Sequence, residues 1–338
     1  MKTKLIMAVT AATAIFTSCQ KEEVLNAENT NEVAISFIAE DASTKSFFDP
    51  TNYTEPWEST LSSLSVLVFD NGGNLIVHRN FNSSEVAGKS ASFALPNTAA
   101  GATCEFYAVA NITVPVTVKN RDGLLAMLES DPALYNSTFA QASIAAVRSG
   151  GFVMSGKTTK TIAPVASKTD VAITLFRTVA KIAIQTAITP EFTTRYYGKI
   201  RVNSAIISKS ANQTNIVTPE IINSGVRNFS YTQVPNQSAE TFQNLYYLFE
   251  NSVIAAGERV MLTLDTTYDR DGNFATTSDQ APVVYNIELS GAGSGEFNRN
   301  SYYRIIVNLD GLTGADATAA ISVAPWSSPV TQTVNLGQ

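Results

Sequence analysis

Ser65-Val66-Leu67-Val68-Phe69-Asp70-Asn71-Gly72-Gly73-Asn74-Leu75-Ile76-Val77-His78 contains the signals that decide the fold. Two short β-branched and aromatic runs flank a loop of Asp, Asn and Gly. Those residues supply the positive φ angles a tight reversal needs, so the stretch predicts a β-hairpin. Working outward, similar runs recur at short spacing: 33–39, 92–95, 104–110, 152–155, 171–176, 179–186, 200–207, 241–249, 259–264, 283–289 and 302–309. Two more, 318–323 and 330–336, lie in the tail. In the first of these runs Val33, Ile35 and Phe37 share one face, the period of a half-buried strand. Helical signals are sparse. Asn120 can cap a helix whose Leu124, Leu125 and Leu128 form a stripe ending near Asp131, and a short second helix fits 141–147. Many short strands separated by Asn/Gly/Ser turns predict an all-β fold of packed sandwiches with few short helices.

The N-terminus addresses the chain for export. Lys2 and Lys4 precede an apolar run, residues 5–16, too short to span a bilayer, and Thr17-Ser18-Cys19 follows. Residues 1–18 therefore read as a signal peptide. Cys19 is either a cysteine beside an ordinary cleavage site or a lipobox cysteine that is acylated and becomes the mature N-terminus. The small-small-Cys ending favours the second, and Gln20-Lys21-Glu22-Glu23 resembles the Lys-acidic tag of surface lipoproteins. Losing Lys2 and Lys4 takes the formal net charge from −6 to −8. An acidic chain with no basic cluster is a poor partner for nucleic acid or anionic membranes. With Cys19 acylated, Cys104 has no disulfide partner and reads as a small core residue.

No catalytic or metal chemistry emerges, and no cofactor is expected. The one histidine, His78, excludes the usual zinc sites and leaves no familiar nucleophile–base pair. Gly291-Ala292-Gly293-Ser294-Gly295 leads into a strand rather than a helix N-terminus, so it reads as a loop. Asp269-Arg270-Asp271-Gly272-Asn273 departs from a calcium loop in the place of its glycine and reads as an acidic hairpin.

Six segments together resemble the fimbrillin family, the type V pilus subunits of Bacteroidota. They are Phe106-Tyr107-Ala108-Val109-Ala110-Asn111, Met154-Ser155-Gly156, Phe176-Arg177-Thr178-Val179-Ala180-Lys181-Ile182, Tyr246-Tyr247-Leu248-Phe249-Glu250-Asn251, Asn298-Arg299-Asn300-Ser301-Tyr302-Tyr303-Arg304-Ile305, and Ile321-Ser322-Val323 with Trp326. The resemblance implies two transthyretin-like β-sandwich domains and no enzymatic activity. It also implies a surface lipoprotein precursor, held in the outer membrane through lipid on Cys19. A trypsin-like protease then cuts beyond the first strand, and a C-terminal strand from another pilus subunit fills the vacated groove.

The residues supply parts for that route. Lys45, before Ser46, is the only Lys or Arg between Lys21 and Arg79. In the tail, Ala319, Ile321 and Val323 share one face of a strand, and Val330, Val334 and Leu336 one face of the next. Prolines on both sides of Trp326 leave open whether this tail donates to a neighbour or folds back. The expected organisation is a leader over 1–18, a lipidated propeptide with the first strand over 19–45, and sandwich domains over 46–167 and 168–338, with 157–170 as the boundary region. The plain alternative is that 33–39 is a permanent strand and Lys45 an ordinary loop lysine. Another is a monomeric surface lipoprotein that binds glycans through Tyr53, Trp57 or Tyr196-Tyr197, or an anchor subunit that does not polymerise.

Overall fold

The computed structural model describes residues 30–38, 55–113, 115–137, 148–165, 167–217, 225–238, 241–312, 322–325 and 331–336. Its first nine strands are β1 (Thr30–Ile38), β2 (Leu64–Phe69), β3 (Leu75–Asn80), β4 (Ser90–Pro96), β5 (Thr103–Ala110), β6 (Leu128–Glu129), β7 (Met154–Thr161), β8 (Thr169–Thr174) and β9 (Phe176–Arg177). Then come β10 (Val179–Ile188), β11 (Lys199–Ser210), β12 (Thr214–Asn215), β13 (Phe229–Gln233), β14 (Asn236–Ser238) and β15 (Thr241–Phe249). The last are β16 (Met261–Asp269), β17 (Gln280–Glu288), β18 (Ser301–Leu309), β19 (Ser322–Pro325) and β20 (Thr331–Leu336). Helices α1 (Ser83–Gly88), α2 (Arg121–Leu125) and α3 (Pro190–Arg195) are each under two turns. The expected second helix at 141–147 lies outside the described residues.

The hairpin forms as β2–β3, with Asp70 accepting the Asn74 backbone N–H at 2.9 Å and Gly73 at φ 79°. It belongs to a five-stranded sheet in the order β3-β2-β5-β7-β9. Val66, Val68 and Phe106 pack on one face against the small sheet β4-β1-β8, forming the first sandwich. Leu67, Phe69, Tyr107 and Val109 pack on the other face beneath Val116, Leu124 and Ile216. Burial on both faces explains why these strands read as unbroken apolar runs rather than alternations.

The second sandwich packs a sheet ordered β14-β15-β10-β18 against one ordered β13-β11-β16-β17. The sheets change over between β9 and β10: β7, β8 and β9 all pair within the first sandwich. Alternate residues of β10 and β15 serve two cores. Ile182, Ile184, Tyr246 and Leu248 point into the second, while Val179, Ala183, Leu245, Tyr247 and Phe249 join the first. The first core therefore extends onto the back of the β10–β15 sheet, while the second sandwich keeps a core of its own.

The helix expected from Asn120 to about Asp131 is shorter than its leucine stripe suggested. Asn120 does cap it, accepting from the Gly123 N–H, but α2 ends at Leu125. Beyond it, Asn215 donates to the Leu125 carbonyl, and Leu128 sits in β6, paired with β12. A distant strand takes over the chain's hydrogen bonds before a second turn can form.

Two of the recurring segments quoted above have local physical causes. Asn111 adopts φ 59° and its amide donates to the carbonyls of Thr60 and Phe152, both at 2.7 Å, while its oxygen accepts from the Ser62 N–H. Asn tolerates the left-handed region and stitches three loops. At Gly156, an added Cβ would lie 2.1 Å from the Thr174 carbonyl oxygen, because β7 there crosses against β8. Gly156→Ala should therefore cost about 1–3 kcal/mol, the usual range for overpacking, or more where backbone must yield. A lowered urea midpoint with unchanged slope would show it.

Candidate assembly site

Strand β1 is the middle strand of its sheet. It pairs antiparallel with β4, from Thr30 opposite Pro96 to Ser36 opposite Ser90, and parallel with β8, from Val33 opposite Thr169 to Ile38 opposite Thr174. Its inward face is Asn31, Val33, Ile35 and Phe37, all buried, and its outward face exposes Glu32 and Ser36. The Phe37 ring meets Phe81 edge-on at 5.4 Å. Burying three such apolar side chains contributes roughly 5–9 kcal/mol as an upper bound. Asn31 works against this: it is fully buried, and among the described residues neither amide atom has a hydrogen-bond partner. An orphaned buried amide costs about 1–3 kcal/mol. Removing β1 would separate β4 from β8 and leave two unpaired strand edges over an open core.

The chain re-enters the described residues at Glu55, already pinned to the second sandwich. The Glu58 carboxylate is fully buried, 2.8 Å from the Lys181 ammonium of β10, and accepts the Tyr247 hydroxyl at 2.6 Å. The Trp57 indole N–H donates to the same hydroxyl, and Arg177 Nε donates to the Glu58 carbonyl at 2.6 Å. Arg177 also bonds Asn300, whose φ is 53°. A second buried group lies nearby: Glu129 accepts from Tyr135 and Thr178 and pairs with Arg148 at 3.4 Å. A third joins Arg299 to Glu250 and Thr214. Arg177, Thr178, Lys181, Tyr247, Glu250, Arg299 and Asn300 all come from the segments that carried the resemblance. Their common place is the seam between the sandwiches.

Both tail strands lie along one side of β18. β19 runs antiparallel opposite Ser301, Tyr302 and Tyr303, and β20 runs parallel opposite residues from Arg304 to Leu309. The other side of β18 carries β10. Within the single chain the tail thus completes its own subunit's sheet. Of the expected tail residues, Val323 falls in β19 and Val334 and Leu336 in β20. Ala319, Ile321 and Val330, like Cys19, Lys45 and Ser46, lie outside the described residues.

Other sequence candidates find ordinary places. Cys104 is buried in the first core, and burial pushes its thiol up. His78 is half-buried on β3, where desolvation lowers its pKa. The glycine loop after β17 is a set of turns, with Gly291, Gly293 and Gly295 at positive φ. Asp269 and Asp271 belong to the β16–β17 reversal, where their carboxylates and that of Asp279 lie within 4.8 Å of one another. Asp269 there accepts from the Asn273 N–H and from Gln280. Trp57, expected as an exposed aromatic for sugars, is instead buried against Tyr247, while Tyr53 lies outside the described residues. Sequence reasoning missed Glu55, Glu58, Lys181 and Asn31. A lysine inside the apolar run Val179-Ala180-Lys181-Ile182-Ala183 was the available signal.

Two measurements probe this region. Asn31→Leu should raise stability by about 1–3 kcal/mol in a urea melt, because it removes an unpartnered amide from an apolar face. Glu55 titrates at about 7 instead of 4.5, raised chiefly by desolvation, with Lys181 pulling it down and Glu58 pushing it up. The folded state holds the proton more tightly than the unfolded chain, so this group's contribution is full below about 4.5 and lost as pH rises towards 7. Glu55→Gln should melt higher than wild type at pH 8, with the gap narrowing at pH 5. A gap independent of pH would contradict that assignment.

The architecture has solved counterparts. A fimbrilin (FimA) from Porphyromonas gingivalis W83 is similar with a TM-score of 0.58 at 16% identity, covering 92% of this chain and 99% of that one. The tip fimbrial protein Mfa3 of Porphyromonas gingivalis, with a C-terminal truncation, gives 0.54 at 16% identity over 88% and 100%. A fimbrial assembly protein from Parabacteroides distasonis ATCC 8503 gives 0.51 at 15% over 88% and 96%. At these identities the likeness shows the fold alone. No curated protein matches the sequence. Residues 32–218, more than half of the chain, match the family described as Major fimbrial subunit protein (FimA). The match begins inside β1 and runs past β10 to β12, so most of the strand, its seat and the Glu58–Lys181 and Glu129–Arg148 pairs fall within it, while the Arg299–Glu250 pair lies beyond it. The chain therefore belongs to the major fimbrial subunit protein (FimA) family, a family of structural subunits of cell-surface fimbriae and not of enzymes.

Proposed function

We propose that this protein is a polymerising pilus subunit with a role in adhesion, whose activity is strand exchange. The precursor is anchored in the outer membrane by lipid on Cys19, cut after Lys45 by a trypsin-like protease of the cell surface, and deprived of β1. The groove between β4 and β8 then accepts a C-terminal strand of another subunit by β-augmentation, carrying Ala319, Ile321 and Val323 or Val330, Val334 and Leu336. We take the mature body to be two sandwiches, dividing near Thr178 where the sheets change over.

One observation carries this reading: β1 is a central strand with a buried face, yet only residues 39–54 link it to the body, and Lys45 is their sole basic residue. An edge strand lost from a sheet leaves the core covered; a central strand leaves a slot that selects a replacement. Anchoring of Glu58 to Lys181 supports the same reading, because it holds the segment leading into β2 without help from β1.

The test is brief treatment of residues 20–338, made without lipid, with a lysine-cutting protease, followed by intact mass and an unboiled denaturing gel. Loss of a fragment ending at Lys45 together with a ladder of oligomers is expected. Cleavage that leaves a monomer would mean the tail stays on β18 and the chain serves as a non-polymerising anchor. Resistance at Lys45 would sink the processing step.

A further inference from the structure

At one end of the second sandwich a cavity of about 810 Å³ opens between α3, the start of β11 and the loop after β16. Such a volume suits a small ligand. Its aromatic side is built from α3 onward. Phe192 is buried and meets Tyr196 at 5.0 Å, and both rings contact Tyr268 at 6.2 and 6.0 Å. Tyr197, the next residue, is 100% exposed at the lip and bonds to nothing else among the described residues. A large ring held fully in water beside a packed aromatic cluster contributes nothing to folding, but it offers a flat apolar face with a polar tip.

The opposite side is cationic. Arg201 lies over the Phe274 ring at 4.6 Å and gives its Nε to Asn203, leaving its two terminal nitrogens without a partner among the described residues. The Lys199 ammonium likewise makes no hydrogen bond or ion pair there. No acidic side chain lines the cavity. Of the acids on the surrounding elements, Glu191 is exposed on α3. Asp269, opposite Lys199 in register, turns its carboxylate to Gln280 and the Asn273 N–H. Its neighbours in the loop after β16 also turn to backbone, Asp271 accepting the Asn273 N–H and Asp279 the Asp271 N–H. On a chain of net charge −6, two unpaired cations beside stacking rings single out a local preference for an anion with a flat apolar face. Hydroxyls of Thr189 and Thr193 add acceptors for ligand O–H groups.

We propose that this cavity binds a sugar bearing a carboxylate, its ring face on Tyr197 and Tyr196 and its carboxylate on Arg201 and Lys199. A planar guanidinium suits a carboxylate because it can donate two parallel hydrogen bonds. The site would make the subunit adhesive in its own right, whether or not it polymerises. Two sources share this chemistry: sialylated glycans and polymers of uronic acids.

Titration of the intact protein with 3′-sialyllactose, trigalacturonate and lactose, followed by calorimetry or ligand-observed NMR, separates them. At least one acidic sugar should bind about tenfold tighter than lactose and weaken as salt rises. Tyr197→Ala and Arg201→Ala should each weaken it about tenfold. The melting temperature of Tyr197→Ala should be unchanged, since Tyr197 is fully exposed, whereas Arg201→Ala also loses the Phe274 contact and the bond to Asn203 and should melt slightly lower. Binding of sialyllactose alone or trigalacturonate alone identifies the source. Failure of both acidic sugars to bind, lactose binding equally, or wild-type affinity in both variants would overturn the proposal.

Discussion

The buried pair between Lys181 and Glu58 is the interaction on which the arrangement of the rest depends. Taking an ammonium and a carboxylate out of water is costly, and their attraction offsets that cost only when geometry and further hydrogen bonds are good. Both conditions hold. The ions are 2.8 Å apart, Tyr247 donates to the same carboxylate, and the ammonium stands 5.2 Å from the centre of the Tyr302 ring. An apolar pair could fill this volume with equal stability, but it would not fix direction or register. Glu58 has one place where its charge is answered, so the segment entering β2 has one place to lie. Trp57 is carried with it into the first core, which reaches the second sandwich through Val179, Ala183, Leu245, Tyr247 and Phe249 of β10 and β15.

That lock also explains which features could be read from the sequence. The hairpin at 65–78, the strands from 104 to 110 and from 241 to 249, and the alternation of Val33, Ile35 and Phe37 announce themselves, because each obeys a local period set by its own burial. The shortness of α2, the pairing of β6 with β12 and the burial of Trp57 do not. They arise from partners about ninety residues or more away, such as Asn215 for Leu125 and Tyr247 for Trp57. The recurring motifs were legible as a resemblance before they were legible as physics. Arg177, Lys181, Glu250, Arg299 and Asn300 are scattered in the chain and meet only at the seam. Their function there is to hold two β-sandwiches in one orientation, a task that leaves no local pattern.

The site itself was half legible. A strand face can be read from residue period, and a lone lysine from counting. That β1 occupies the centre of its sheet could not be read, because sheet order follows from long-range pairing between β1, β4 and β8. Nor could the cost hidden in β1. Asn31 looks unremarkable in sequence, a polar residue at a strand's beginning. In the fold it faces inward and meets no hydrogen-bond partner among the described residues. On the same face an incoming strand with an apolar residue would avoid the orphaned amide, and in the proposed exchange that difference favours the newcomer.

A stability difference alone would not release β1, however. Lifting it breaks hydrogen-bonded ladders on both sides at once and exposes Val33, Ile35 and Phe37 to water. While residues 39–54 tie it to the body, a strand that does lift out returns at an effective concentration on the order of mM, far above any free competitor. A cut within that tether leaves the contacts untouched and removes the advantage: β1 then leaves by simple dissociation and is diluted. In the proposed processing, proteolysis would thus convert a strand that is stable because it is tethered into one that must compete on affinity. The lock at Glu58 matters at this step. With Glu58 held at the seam by Lys181, loss of β1 would open a slot between β4 and β8 without loosening the hairpin that forms the facing sheet.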